Sequence, residues 1–287
     1  MDSNLVRRIA VAAVGIPLAL GFAWYGGWPL AVLVAVIAAL GVRELYDIAA
    51  HSQVRAMRLM GIATAAAIPL LFHAVRSGSM VGSRIDSWWE YGAAVWLITL
   101  LGIVLYRRAP GDRPLHAAAV TLFGVMYAAI LPTFLLDIRH GLWPERTWAG
   151  AALMFFPLVV TWLCDTAAMF GGRIFGGPKL APSVSPGKTR SGALAGVVGG
   201  MLVAPLFVMA VFPRVGISIS LINACAMAGL LAIVGQAGDL VESLFKREAG
   251  VKDSSALIPG HGGVLDRFDS LYFVIPVAAV CYRLLSA

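Results

Sequence analysis

Residues 192–212 read GALAGVVGGMLVAPLFVMAVF, twenty-one consecutive positions without an ionisable side chain. As a helix this stretch would rise about 31 Å, at about 1.5 Å per residue, which matches a hydrocarbon layer roughly 30 Å thick. The glycines and the Ala204-Pro205 step do not argue against a helix, because lipid-embedded helices tolerate both residues. Working outward, polar breaks delimit eight further runs of the same kind, near 9–25, 28–42, 57–75, 91–106, 115–136, 147–170, 217–240 and 270–286. The pattern predicts an all-α, polytopic integral membrane protein with about nine transmembrane helices.

Composition agrees. The 287 residues are 60% hydrophobic and 13% charged, with a mean hydropathy of +0.84, whereas soluble domains run about 45–50% apolar and about 25% charged. Nine spans of roughly 20 residues use about two thirds of the chain, so a soluble enzyme and a large extramembrane domain are both excluded. No internal repeat or low-complexity linker is visible, and residues 1–287 read as one transmembrane domain. Met1–Arg8 with the run from Ile9 to Tyr25 has the basic flank of a secretory signal. Its apolar part is longer than a signal's core and no convincing cleavage site follows, so a retained first span at 9–25 and a mature protein beginning at Met1 are expected.

The net charge of +7 and a pI near 9.7 would suggest nucleic-acid binding in a soluble protein. Here the basic residues follow the rule that positive loops stay cytoplasmic, and no nucleic-acid partner is expected. With the N-terminus inside, sixteen of the 22 Lys and Arg residues fall on the cytoplasmic side, leaving Arg76, Arg84, Arg139, Arg146, Arg214 and Arg283 outside. The expected orientation is therefore N-in and C-out, and it puts the two longest polar segments, 171–191 and 239–269, on one cytoplasmic face. Cys164, Cys225 and Cys281 lie in apolar runs without metal-ligand spacing and read as small buried hydrophobes.

Segment 239–269 holds six of the 15 acids: Asp239, Glu242, Glu248, Asp253, Asp266 and Asp269. Extending the eighth span as a helix places Asp239, Glu242, Ser243 and Lys246 on one face, at i, i+3, i+4 and i+7. Next come Lys252-Asp253, then Pro259-Gly260-His261-Gly262-Gly263, then Asp266-Arg267-Phe268-Asp269. The glycines let backbone amides approach an anion such as phosphate. Carboxylates from separate segments, with no Cys/His cluster to compete, favour Mg²⁺ over zinc. Plain alternatives stand beside these readings. Asp269 equally suits a cap of the last helix and Asp253 a turn, while Glu242 and Glu248 suit solvation or pairing with Lys246 and Arg247 better than metal ligation. For His261 a structural role in the loop is the alternative. Asp165 sits at the cytoplasmic end of the sixth span, where a carboxylate is costly and usually serves a site.

The other segment runs Gly171-Gly172-Arg173-Ile174-Phe175-Gly176-Gly177-Pro178-Lys179 and then Ser185-Pro186-Gly187-Lys188-Thr189. Gly187-Lys188-Thr189 is not a P-loop, since Pro182 stands where that motif requires glycine and no strand precedes it. A flexible, cationic loop covering phosphates is expected instead.

Residues 243–269, SLFKREAGVKDSSALIPGHGGVLDRFD, match a 27-residue signature, S-x-[LIVMF]-K-R-x4-K-D-x-[GSA]-x2-[LIF]-[PG]-x-H-G-G-[LIVMF]-x-D-R-[LIVMFT]-D, and on it the chain resembles the phosphatidate cytidylyltransferase, or CDP-diacylglycerol synthase, family. Asp165-Thr166-Ala167-Ala168, the glycine loop and Ser185–Thr189 resemble the family's second block. The likeness covers roughly 160–286, the part implied to be catalytic, while residues 1–150 are helices of unclear role. Gly187, Arg190 and Ser191 depart from the family pattern. The resemblance implies transfer of a cytidylyl group from CTP to phosphatidate in the bilayer, releasing pyrophosphate, with Mg²⁺, alone or beside a second cation. It also implies an inner-membrane location, an active site facing the cytoplasm, contacts with membrane lipids and a homodimer as a possible assembly. Asp239, Asp266 and Asp165 are the expected metal ligands, and Lys246, Arg247, Lys252, Asp253, His261 and Arg267 the catalytic set. Lys179, Ser185, Lys188, Ser243, Gly262 and Gly263 would bind substrate. Two rival classes fit less well: the paired broken helices of a secondary transporter's two repeats are missing from the sequence, and so is the signature of a CDP-alcohol phosphotransferase. A relative with a different lipid phosphate as acceptor is the remaining alternative.

Overall fold

The computed structural model describes residues 17–78, 89–141, 147–258 and 262–286. Among them are eight helices long and apolar enough to cross a membrane: α1 (Gly27–His51), α2 (Arg58–Arg76), α3 (Trp89–Arg107), α4 (Pro114–His140), α5 (Trp148–Phe175), α6 (Arg190–Val211), α7 (Leu221–Glu248) and α8 (Leu265–Ser286). Most of the expected first span, 9–25, lies outside the described residues; its part at 17–25 is helical. A two-stranded antiparallel hairpin, β1 (Lys179–Ala181) and β2 (Ser185–Thr189), is the only sheet among the described residues.

The main core joins Leu30 and Val34 of α1 with Leu136 of α4, Phe156 and Val160 of α5, Val203 of α6, Leu231 of α7 and Val274 and Ile275 of α8. Both halves of the chain thus contribute to one packed interior. A second cluster sets Val42, Leu45 and Tyr46 of α1 against Ala65 of α2, Tyr127 of α4, and Leu265 and Tyr272 of α8. Helix α3 buries only Leu100 and Val104 and exposes Val95, Ile98, Leu101 and Leu105, the surface expected of a helix that faces lipid.

Helices α5 and α6 approach closely through small residues. An added Cβ at Gly196 would lie 3.0 Å from the Ala168 methyl and 3.1 Å from the Cys164 carbonyl, and at Gly199 it would collide with Ala167, the small-residue packing that brings membrane helices together. A segment of wider, i→i+5 turns interrupts α4 at Met126–Ile130 and another interrupts α6 at Phe207–Val211. Of the three cysteines, Cys164 is buried as expected, whereas Cys225 and Cys281 are half-buried.

Several boundaries differ from the sequence reading. Helix α5 runs through Phe175, so Gly171–Phe175 are helical and not loop. The reason is packing: a Cβ at Gly171 would strike Ala195, so only glycine admits α6 there. Gly176 (φ 59°) and Gly177 (φ 98°) then take the left-handed backbone that ends the helix. Thr189 Oγ1 caps α6 by accepting from the Gly192 amide at 3.1 Å. The segment expected as a loop is therefore a helix end and a hairpin. Helix α8 starts at Leu265, five residues before the expected span, so Asp269 lies inside the helix and does not cap it.

At the end of the bundle away from the hairpin, Asp137 of α4 pairs with Arg283 of α8 at 2.7 Å and Arg76 of α2 at 3.9 Å. Beside it the fully buried Arg139 donates to the carbonyls of Ala23 and Trp24, at 3.2 and 2.8 Å. The Gly27 amide donates to His140 Nε2 at 3.0 Å.

Candidate active site

Segments 171–191 and 239–269 meet at one end of the bundle, as the sequence predicts. Lys188 of β2 forms an ion pair of 2.5 Å with Asp239 of α7, and Arg247 Nε donates to the Val184 carbonyl in the hairpin at 3.3 Å. Between them opens a cavity of about 560 Å³ lined by Asp165, Arg173, Lys179, Lys188, Gln236 and Asp239, among others. Helix α7 continues unbroken to Glu248, so the expected polar face exists. Ser243 Oγ lies 3.4 Å from Asp239 Oδ1, and Lys246 Nζ lies 3.1 Å from Glu242 Oε1.

That face is divided between two environments. Asp239 lines the cavity, with Ser243 beside it. Glu242 and Lys246 are buried, and Lys246 also donates to Asp266 Oδ1 at 2.6 Å. Pairing between Glu242 and Lys246 agrees with the i, i+4 spacing, but solvation does not: Glu242 is 1% exposed, and its Oε2 has no hydrogen-bond partner among the described residues. Lys246, expected in the catalytic set, is in this arrangement the shared cation of two carboxylates.

Asp266 is engaged on both oxygens. Its Oδ2 accepts from the amides of Ser254 and Gly263 and from the Ser254 hydroxyl, each at 2.8 Å. The amide nest expected to receive phosphate is thus partly filled by the protein's own carboxylates. Gly262 (φ 79°) is placed so that a Cβ would lie 2.6 Å from Asp266 Oδ2, and a Cβ at Gly263 would collide with Ser254 Oγ and Glu44 Oε2. These glycines are required by close approach of carboxylates.

The second carboxylate in the nest, Glu44, is a residue the sequence reading missed. It is 2% exposed on α1. It accepts from the Ser254 and Ser255 hydroxyls at 2.9 and 2.6 Å and from the Val264 and Leu265 amides at 3.0 and 2.8 Å. Ending the second span at 42 put Glu44 in a loop; the continuing helical spacing of Val42, Leu45 and Tyr46 was the signal of a longer helix. Gln236 was missed too, and its amide donates to the Ala193 and Ala232 carbonyls at 3.2 and 3.3 Å beside the cavity.

The other expected site residues are placed as follows. Lys179 is exposed on the cavity rim, and Ser185 pairs with Ala181 in the hairpin. Arg247 is exposed and also donates to the Val251 carbonyl at 3.1 Å, so it ties backbone segments together. Lys252 and Asp253 are exposed in a bend, and Arg267 is exposed in the first turn of α8. His261 lies outside the described residues. Asp165, Asp239 and Asp269 are close enough to act on one another electrostatically. Among the described residues no group of three or more Asp, Glu, His or Cys side chains is arranged to hold a metal by itself.

A membrane-embedded bundle with cations and carboxylates gathered at one mouth is the architecture of an enzyme acting on anionic substrates at a bilayer surface. The profile of the Cytidylyltransferase family matches residues 6–285, and the chain belongs to that family. It is 35% identical over 284 residues to a phosphatidate cytidylyltransferase of Brucella suis biovar 1, covering 98% of this chain and 93% of the relative. A protein of the same name from Synechocystis is 31% identical over 296 residues, 94% of each chain. Another from Staphylococcus epidermidis is 32% identical over 272 residues, 94% of this chain and 96% of the relative.

Proposed function

We propose that this chain transfers the cytidylyl group of CTP to phosphatidate, giving CDP-diacylglycerol and pyrophosphate for phospholipid synthesis. The observation that carries the reading is the cavity shared by Lys188, Lys179, Arg173 and Asp239 at the mouth of a membrane bundle. A non-bridging oxygen of the phosphatidate monoester attacks the α-phosphorus of CTP. The bond from that phosphorus to the oxygen bridging the α- and β-phosphates breaks, and pyrophosphate leaves with its electron pair. Both reactants are anions, so the chemistry needs fixed positive charge more than a proton carrier. Arg173, Lys179 and Lys188 supply it where they line the cavity. Met169 also lines the cavity, and beside it Phe170, Ile174 and Phe175 of α5 are exposed; this apolar flank lets acyl chains stay in lipid while the headgroup reaches the polar mouth.

The carboxylates fit Mg²⁺. This ion takes one or two protein carboxylates and completes its shell with phosphates and water, and Asp239 and Asp165, which both line the cavity, are a hard-oxygen pair of that kind. Asp239 already holds a cation, the Lys188 ammonium. When bound, Mg²⁺ would neutralise charge on the phosphates. Asp266 and Lys246 act as positioning groups, since Asp266 is engaged by protein donors on both oxygens and Lys246 is held between two carboxylates. We further propose nine spans, with 9–25 as the first, and an N-in, C-out orientation that sets the cavity in the cytoplasm, on the strength of the basic-residue distribution.

The test is transfer of label from α-labelled CTP into the lipid phase with phosphatidate in detergent micelles, alongside equimolar pyrophosphate release. EDTA should abolish it and Mg²⁺ restore it. Absence of lipid-phase label at saturating CTP, phosphatidate and Mg²⁺ would overturn the proposal, and label with a different lipid phosphate would redirect it.

A further inference from the structure

We infer that Glu44, on the first complete helix of the bundle, is a positioning residue for the site, acting as a clasp that closes the catalytic loop between α7 and α8. The inference rests on the functional reading above for its kinetic consequence, but its structural part stands alone. Four donors converge on one carboxylate: the Ser254 and Ser255 hydroxyls from within the loop, and the Val264 and Leu265 amides where it enters α8. One side chain thus fixes both ends of a segment reached from more than 200 residues away in sequence, with separations of 210 to 221. A carboxylate is suited to this because it only accepts, with room for about four hydrogen bonds on two oxygens.

The clasp reaches the ionic cluster in one step. Ser254 Oγ lies 2.9 Å from Glu44 Oε2 and 2.8 Å from Asp266 Oδ2, and its single proton can serve only one of them at a time. Asp266 in turn holds Lys246 at 2.6 Å. Glu44 therefore sets the position of the loop that sets Asp266, and through it the last turn of α7, which carries Lys246. Glycine at 263 belongs to the same device, since a Cβ there would collide with both Glu44 and Ser254. This gives the N-terminal helices a part in the chemistry: α1 is the fixed wall against which the catalytic loop is fastened.

Glu44→Gln is the informative change, because an amide keeps the size but turns two acceptor sites into donors facing donors. Wild-type, Glu44→Gln and Glu44→Asp proteins, purified in detergent and normalised to the monodisperse fraction, would be compared for kcat, for KM with CTP and with phosphatidate, and for amide exchange across 251–265. Expected for Glu44→Gln is a kcat at least tenfold lower, both KM values within about threefold of wild type, and faster exchange at Val264 and Leu265. Glu44→Asp should recover part of the lost kcat. A kcat for Glu44→Gln within twofold of wild type per folded molecule, even with a poor folded yield, would overturn the inference. So would unchanged exchange across the loop. If wild type itself does not turn over CTP and phosphatidate, the functional reading fails, and the exchange comparison still decides the role of Glu44.

Discussion

Removing the charge of Lys246 should destabilise the protein chiefly through Glu242. Lys246 joins two buried carboxylates, Glu242 at 3.1 Å and Asp266 at 2.6 Å, whose side chains are 1% and 6% exposed. Breaking a buried ion pair by deleting one partner costs about 3–5 kcal/mol, because the other charge is left uncompensated. The two carboxylates will not share this cost equally. Asp266 keeps three donors, from Ser254 N, Ser254 Oγ and Gly263 N. Glu242 keeps none, since its Oε2 already lacks a partner among the described residues and Oε1 has Lys246. Lys246→Met should therefore lose about 3–5 kcal/mol, and adding Glu242→Leu should recover about half of that or more, because the orphaned carboxylate goes with its partner. Thermal unfolding in one detergent at one scan rate, on the four proteins of the double-mutant cycle, reads the coupling. The reasoning is refuted if Lys246→Met/Glu242→Leu is no more stable than Lys246→Met alone.

Lys188→Gln should lower kcat by tenfold or more and weaken CTP binding, since it removes a cavity cation; steady-state kinetics at varied CTP and Mg²⁺ check this, and wild-type values would remove Lys188 from the site. Gly263→Ala should cost roughly 2 kcal/mol or more from overpacking and disturb the site, whereas Gly187→Ala, where an added Cβ meets nothing within 4 Å, should stay within about 0.5 kcal/mol of wild type; melting curves of the two variants compare them directly. For orientation, single cysteines at Asp253, Gly187 and Ser218 in a background lacking the native cysteines can be probed with an impermeant thiol reagent on intact cells. Only the Ser218 variant should react, and reaction at 253 would put the catalytic loop on the wrong side of the membrane for cytosolic CTP.

The helical membrane fold was legible because run length and missing charge are properties of short windows, and 192–212 alone carries the signal. The meeting of the two polar segments was also legible, from basic-residue bookkeeping that places both on one face. What escaped depends on contacts distant in sequence. Glu44, next to Arg43, looks like part of the polar break after a span until Val264 and Leu265, more than 200 positions later, are seen to donate to it. Gly262 and Gly263 read as room for a phosphate, because sequence shows that a Cβ is missing but not which anion uses the space. Lys246 was placed on the correct helix face, yet a face half a turn wide spans both an open cavity and a buried cluster. Gly171 and Gly172 suggested a loop when they were the condition for two helices to touch.

The hold of Arg139 on the carbonyls of Ala23 and Trp24 sets an order of events during synthesis. Those carbonyls end the helical stretch 17–25, and their partner lies 116 and 115 residues further along the chain. At about 5–20 residues per second, a ribosome needs roughly 6–23 s to bring that arginine out. For that interval the turn between residues 17–25 and α1 must borrow donors from water, headgroups or the insertion machinery. That turn is thus made early but finished late, when α4 arrives and its guanidinium replaces those temporary partners.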